Sequence, residues 1–340
     1  NLQVQKGSNT QEITAQHSIV ATGSKPMVIP AFGYDGVRVV TSDEMLELQT
    51  LPDHIVIIGG GVIGCEFASI FHSLGAKVTI IEALESILPT VERDVARQLA
   101  SYFRRRGIDI LPGTKVETVE KGEAISVQIS DGKTIPCDMV LISIVRRPNS
   151  AGLGLESVGV EVNSRGEIVV DERMATTVPG IYAIGDATDC PWKLAHVASR
   201  QGIVAAHCIA GQEESMDYRA VPAAIFSSPE VASVGLTTEQ AQDAGIDVVA
   251  SKFPFVASGK AITQGETEGF VKILADRSTR AVVGVHIIGP EAATLISEAT
   301  VAIQHELSSD QLAGTMHTHP TLPEAIMEAA EGVAGLTIHA

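Results

Sequence analysis

The stretch that decides the fold is His54-Ile55-Val56-Ile57-Ile58-Gly59-Gly60-Gly61-Val62-Ile63-Gly64. Ile55 to Ile58 is a short apolar run of the kind a buried parallel strand requires. Residues 62–74 carry helical spacing, with Gly75 placed to end the helix, and 77–82 form the next strand. Strand, glycine-rich turn, helix, strand is the pattern of a dinucleotide cradle. Gly59 permits the tight turn, Gly61 lets the backbone approach a pyrophosphate, and Gly64 lets helix and strand pack closely. The free N–H groups opening the helix face the phosphates. Glu82 ends the second strand, where a carboxylate accepts hydrogen bonds from an adenine-ribose diol and repels a 2′-phosphate. NAD is therefore expected over NADP.

Outward from this unit, a second helix is expected over about 94–106, with Val95, Leu99 and Tyr102/Phe103 on one face and Gly107 at its end. Arg104-Arg105-Arg106 reads as a solvated last turn favoured by the helix dipole. Residues 115–144 alternate with period two around Ser130-Asp131-Gly132, a β-meander signal, and 140–145 reads as a strand returning to the sheet. A second strand-and-turn unit, 180–187, ends in Gly185-Asp186-Ala187, and a helix is expected over 195–210. Beyond 217 short strands alternate with turns, followed by one helix over 291–306, an α+β texture. The expected domains are 1–50 with 149–216, 51–148, and 217–340.

A chain of 340 residues suggests two or three domains. With 45 % hydrophobic and 19 % charged residues it is no disordered chain. Its net charge of −17, from 24 basic and 41 acidic residues, argues against nucleic acid or an anionic membrane as main partner. The longest uncharged apolar run, 55–65, is too short to span a bilayer. Cys65, Cys137, Cys190 and Cys208 form no close pair, so no disulfide framework or zinc site is read from them. They read as mostly buried, reduced thiols of a cytoplasmic protein. The chain opens on Asn1, which suggests a processed, trimmed or partial product.

In the tail, His319 and Glu324 are the candidate acid–base pair. Imidazole titrates near neutrality, Pro320 restrains the backbone of His319, and Glu324 can set its tautomer. A surface loop, or a metal pair formed by His317 and His319, are the alternative readings. No metal is expected.

Taken in order, Ala21-Thr22-Gly23, the glycine fingerprint, Ile80-Ile81-Glu82, Arg146-Arg147-Pro148-Asn149, Gly185-Asp186-Ala187, Leu194-Ala195-His196 and His319-Pro320-Thr321 with Glu324 resemble the class I flavin disulfide reductases, most of all the dihydrolipoyl dehydrogenases. The resemblance implies a Rossmann-like NAD domain inserted in a partial FAD domain, followed by an α+β dimerisation domain. It implies that the 59–64 turn with Cys65 binds NAD, that Glu82 holds its ribose, that Glu66 lies near the nicotinamide, and that Val116 lines the adenine site. It implies that Ala21, Thr22 and Gly23 pass close to FAD. Asp186 would hold the flavin side chain, and Lys193, Leu194, Ala195 and His196 would run under its ring. His319, oriented by Glu324, would deprotonate dihydrolipoamide across a homodimer interface. The implied partner is a lipoyl-bearing protein of a 2-oxo acid dehydrogenase or glycine cleavage complex. The implied reaction passes electrons through a disulfide and FAD to NAD.

Two departures stand out. The family's first glycine fingerprint and its C-x-x-x-x-C redox pair are not in these 340 residues. The chain is accordingly expected to be the C-terminal three-quarters of such an enzyme, with sticky apolar surface, or else a redox-inactive NAD-binding, dimerising remnant. Val145 stands where the family has glycine before Arg146-Arg147-Pro148. Its branched side chain cannot easily adopt positive φ, so weakened NAD binding is expected.

Overall fold

The computed structural model describes residues 2–339. They form two compact units, one made of the chain up to Pro26 with Val145–Tyr218, the other of Met27–Ile144 with the chain from Arg219 onward.

The first unit is built from short pieces. Leu2–Lys6 and Asn9–Ile13 make an antiparallel hairpin whose side chains are all exposed. Ser18–Val20 pairs in parallel with Ile181–Ala183, and Ser24–Pro26 pairs antiparallel with Arg146–Pro148. The helix Ala195–Ile209 buries Val197, Gln201, Val204 and Ala205. Leu2, Val4, Ile13, Ile19 and Ile203 are exposed.

The second unit opens on a five-stranded parallel sheet in the order Val39–Val40, Met139–Ile142, His54–Ile58, Lys77–Ile81, Asp109–Leu111. Successive side chains of a strand point to opposite faces. Ile55 and Ile57 therefore pack with Phe71 of the helix Val62–Ser73 and with Val95, Leu99 and Phe103 of the helix Arg93–Arg106. Val56 and Ile58 face the other way, against Val119, Ile125 and Val127 of the meander Val116–Lys121, Ile125–Ile129, Thr134–Cys137. A continuous apolar run is what a strand covered on both faces needs. The strand expected over 140–145 stops at Ile142; beyond it the Ser143 amide reaches the Ile58 carbonyl and its hydroxyl bonds the carbonyls of Ile58 and Gly59.

A five-stranded antiparallel sheet follows, ordered Ala223–Ile225, Glu230–Gly235, Val282–Gly289, Phe270–Asp276, Val248–Pro254. Phe253, Ile273, Val285 and Ile287 share one core with Ala292 and Ile296 of the helix Ala292–Gln304 and with Ile326 and Ala329 of the helix Glu324–Gly332. That last helix is absent from the sequence reading, which assigned no element beyond Glu324. The fold class is the expected one: a Rossmann-like parallel sheet and an antiparallel dimerisation-domain sheet.

Candidate functional site

The glycine turn is shaped by collisions that side chains would cause. Gly59 has φ +111°, and a Cβ there would lie 2.6 Å from the Ser143 carbonyl oxygen. A Cβ on Gly60 would lie 2.7 Å from Ile87 Cγ2, and one on Gly64 would overlap the Gly59 carbonyl oxygen. Gly61, the N-cap of the helix Val62–Ser73, differs: a Cβ there would meet nothing within 4 Å, and no side chain caps the helix. Gly61 thus leaves an open approach to four helix-opening N–H groups, the fit that a pyrophosphate requires.

Gly59, Gly61, Glu82, Thr114 and Val116 line one cavity of about 420 Å³. Glu82 is buried at its rim. Its Oε2 accepts from the Gly60 amide at 2.7 Å and its Oε1 from the Leu84 amide at 2.7 Å. Each oxygen keeps a further lone pair for a sugar hydroxyl. So Glu82 braces the turn as well as facing the cavity. Val62 is exposed and Ile63 half-buried on the opening turn of the helix.

Cys65 lies away from the cavity. It is fully buried, its Sγ rests 3.5 Å from the Gly60 carbonyl, and burial pushes its thiol well above the usual range. It packs the helix onto the sheet and does not line the cavity. Glu66, one residue on, is half-buried and accepts from the Phe226 amide at 2.9 Å. Burial raises its carboxyl above the ordinary value against that one hydrogen bond.

Val145 is placed without the backbone strain expected of it. It lies outside the positive-φ region, so the backbone conflict expected of a branched residue there does not arise, and its side chain is 51 % exposed.

In the first unit, Gly23 has φ +67° with open space where a Cβ would stand. Ala21 and Thr22 are exposed beside it. Asp186 Oδ2 accepts from Ser24 Oγ at 2.6 Å, and Ser24 Oγ accepts from Arg146 Nε at 2.8 Å. The Gly185 amide is held by Gln201 Oε1 at 2.7 Å. Leu194 is the extended N-cap of the helix Ala195–Ile209, which has no side-chain cap, with Ala195 and His196 exposed on its first turn. Lys193 turns back on its own loop, onto the Thr188 carbonyl and, at 3.2 Å, Glu167. Ser24 and Gln201, which brace this turn, were missed by sequence reasoning. Only a pairing across 162 residues reveals the first.

His319 and Glu324 meet as expected in kind: Nδ1 lies 2.8 Å from Glu324 Oε1, and Glu324 Oε2 accepts from the Thr321 amide at 2.7 Å. Burial alone would raise the Glu324 carboxyl, but the Thr321 amide and His319 outweigh it and hold it below the usual range. The His319 side chain is 76 % exposed. His317 faces elsewhere, its Nε2 2.8 Å from Glu298 and its Nδ1 2.8 Å from the Thr315 carbonyl. Both of its ring nitrogens are therefore engaged away from His319. No cluster of metal-ligating side chains occurs among the described residues.

Residues 1–202 match the pyridine nucleotide-disulphide oxidoreductase family, and residues 221–330 match its dimerisation domain. The chain belongs to the pyridine nucleotide-disulphide oxidoreductases. It is 46 % identical to a dihydrolipoyl dehydrogenase of Chlamydia muridarum over 327 residues, 95 % of this chain and 70 % of that protein. It is 40 % identical to that of Geobacillus stearothermophilus over 342 residues, 99 % of this chain and 72 % of the relative. Among solved structures, LpdA from Mycobacterium tuberculosis superposes with a TM-score of 0.91 at 32 % identity, covering 97 % of this chain and 72 % of that one. The HOCl-induced flavoprotein disulfide reductase RclA from Escherichia coli gives 0.90 at 32 % identity, covering 97 % and 76 %. FAD and NAD are the cofactors of this oxidoreductase family, and its dimerisation domain makes it homodimeric.

Proposed function

We propose that this chain serves dihydrolipoyl dehydrogenase chemistry: a protein-bound dihydrolipoamide is oxidised to lipoamide while NAD⁺ is reduced to NADH, with one proton released. The His319–Glu324 pair carries this reading. A carboxylate only accepts, so the proton on the His319 ring sits on Nδ1 and points at Glu324, leaving Nε2 as the base. Nε2 on an exposed ring can take the proton of a thiol, and Glu324 stabilises the imidazolium that results. In the homodimer His319 serves the partner chain's site.

Gly61, the opening N–H groups of the helix Val62–Ser73 and Glu82 would hold the NAD pyrophosphate and ribose. Gly23, Asp186 and the opening of the helix Ala195–Ile209 would hold FAD. When bound, the two cofactors supply the electron path from a redox disulfide to the nicotinamide. Close-paired cysteines for that disulfide do not occur within these residues, and burial pushes Cys137 up to about 12. The partner is the lipoyl-bearing protein of a 2-oxo acid dehydrogenase or glycine cleavage complex, and the setting is the cytoplasm. Among the described residues no helix is long and apolar enough to cross a membrane.

Titration of NADH fluorescence tests the nucleotide half. Saturable binding competed by NAD⁺ and not by NADP⁺ is expected. Binding that prefers NADPH, or none, overturns the reading.

A further inference from the structure

Lys272 lies in the middle of the strand Phe270–Asp276 and is only 4 % exposed. Its ammonium donates to Glu92 Oε1 at 2.7 Å, Asp94 Oδ2 at 2.8 Å and Thr238 Oγ1 at 3.1 Å, which uses all three of its N–H groups. Glu92 is equally buried and also accepts from the Thr238 amide at 2.8 Å and the Thr238 hydroxyl at 3.1 Å. Asp94 Oδ2 also accepts from Lys252 at 2.8 Å. His286 stands 4.0 Å from Glu92, fully buried. Its ring nitrogens are occupied by Ser233 Oγ and the Leu236 carbonyl, and burial keeps it on the neutral side. The network is satisfied and balanced.

Such a network is a poor way to gain stability, since apolar packing of the same volume does as well or better. It is directional, however, and its direction matters here. Glu92 and Asp94 flank the start of the helix Arg93–Arg106. The segment just before them, 83–92, supplies Ala83, Leu84 and Pro89 to the wall of the cavity that contains Gly61 and Glu82. The same segment grips the glycine turn. The Leu88 amide donates to the Gly60 carbonyl at 2.8 Å, and the Ile87 side chain fills the space a Gly60 Cβ would need. Leu88 is held at φ +49°, a conformation a leucine adopts only under constraint. The segment is thus fixed at one end on the nucleotide turn and at the other on a lysine of the antiparallel sheet.

We propose that Lys272 is a positioning residue for the dinucleotide: through Glu92 it holds the 83–92 segment against the glycine turn, so that the dimerisation domain sets the shape of the NAD cavity. This rests on the NAD reading of that cavity. Lys272 touches no cofactor; it acts through Glu92 and Leu88.

The test measures NADH affinity by fluorescence and thermal unfolding side by side on the 340-residue chain. Lys272→Met keeps the length and apolar stem while removing the charge. It is expected to weaken NADH binding roughly tenfold, within the range of coupling between linked sites. Should that variant fail to fold, Lys272→Met combined with Glu92→Gln leaves no buried charge unpaired and carries the same expectation. Arg105→Gln breaks the Arg105–Glu268 ion pair at the far end of the same helix and is expected to leave NADH affinity unchanged. A folded Lys272→Met or double variant that binds NADH within about twofold of wild type overturns the proposal, since that lies inside the noise of independent sites. An equal loss in Arg105→Gln overturns it too, because a general loosening would then explain both. Wild-type protein that binds no NADH overturns the cavity reading, and the inference with it.

Discussion

The Glu82 carboxylate accepts the amide of Gly60 at 2.7 Å, so the residue expected to face the ribose also holds the turn that faces the pyrophosphate. Two binding elements 22 residues apart are one rigid object. Glu82→Ala therefore has two effects. It leaves a buried donor unmade, which costs about 1–3 kcal/mol, and it removes the ribose acceptor. Urea unfolding and NADH titration on the same sample are expected to show both losses. Weakened binding at unchanged stability would mean that the Gly60 bond contributes nothing.

Gly61 and Gly64 are expected to separate binding from folding. Alanine at Gly61 meets open space, so Gly61→Ala leaves stability within about 0.5 kcal/mol of wild type, while its methyl group intrudes where the pyrophosphate approaches and NADH affinity falls. Alanine at Gly64 collides with the backbone oxygen of Gly59. Gly64→Ala is expected to cost about 1–3 kcal/mol through overpacking, visible as a lower urea midpoint.

If the proposed function holds, His319 is the base, and its loss reads directly in turnover. In protein that carries the redox disulfide, His319→Gln is expected to lower the rate of dihydrolipoamide oxidation by about 10²–10⁴-fold. NADH affinity should stay at the wild-type value, because His319 lies outside the residues lining the nucleotide cavity. Glu324→Gln keeps the shape but loses the charge that stabilises the imidazolium, so turnover is expected to fall while NADH affinity holds. Turnover at the wild-type value would assign Glu324 to holding the Thr321 amide alone.

Asp94 gives a pH prediction with a definite sign. Burial would raise its carboxyl, but Lys252 and Lys272 bond to it and hold it at about 2, against an ordinary 3.8. The folded state thus favours the ionised form. Its contribution, about 1 kcal/mol once solvent screening of a partly exposed carboxylate is discounted, is complete above pH 3.8 and is lost as pH falls toward 2. Asp94→Asn is expected to be less stable than wild type by that amount at pH 7 and to converge with it in strong acid. A constant gap from pH 7 to pH 2.5 in urea unfolding would refute the assignment.

Much of the nucleotide unit was legible in the chain. The run Ile55–Ile58 reads as a doubly covered strand, and its two faces do enter separate cores. Gly107 was expected to end the second helix and does so at φ +95°. The helix Glu324–Gly332 was left unassigned in the sequence; in the structure Pro323 is its N-cap and Ala325, Ile326, Ala329 and Ala330 are buried. Arg104-Arg105-Arg106 read as solvated charge. All three are exposed, as read; the fold adds only partners at the surface, Glu268 at 3.1 Å from Arg105 and Ser228 Oγ at 3.1 Å from Arg106. Those partners lie more than 120 residues away in sequence. Lys272 left a signal that went unused: a charge inside an apolar strand asks for a buried counter-charge.

By itself the sequence determined much of what local rules control: the four longest helices and most of the longer strands, where glycine is required in the nucleotide turn, and which carboxylate ends which strand. Those follow from periodicity, φ preference and residue chemistry, each readable within a few positions. Tertiary structure decided the pairings. It put Glu82 on Gly60, Ser24 on Asp186, and Glu92 on Lys272, and it sent Cys65 into the core rather than the cavity. Hydrogen bonds and buried charges are satisfied by whichever group the fold brings within 3 Å, and that distance has no counterpart along the chain.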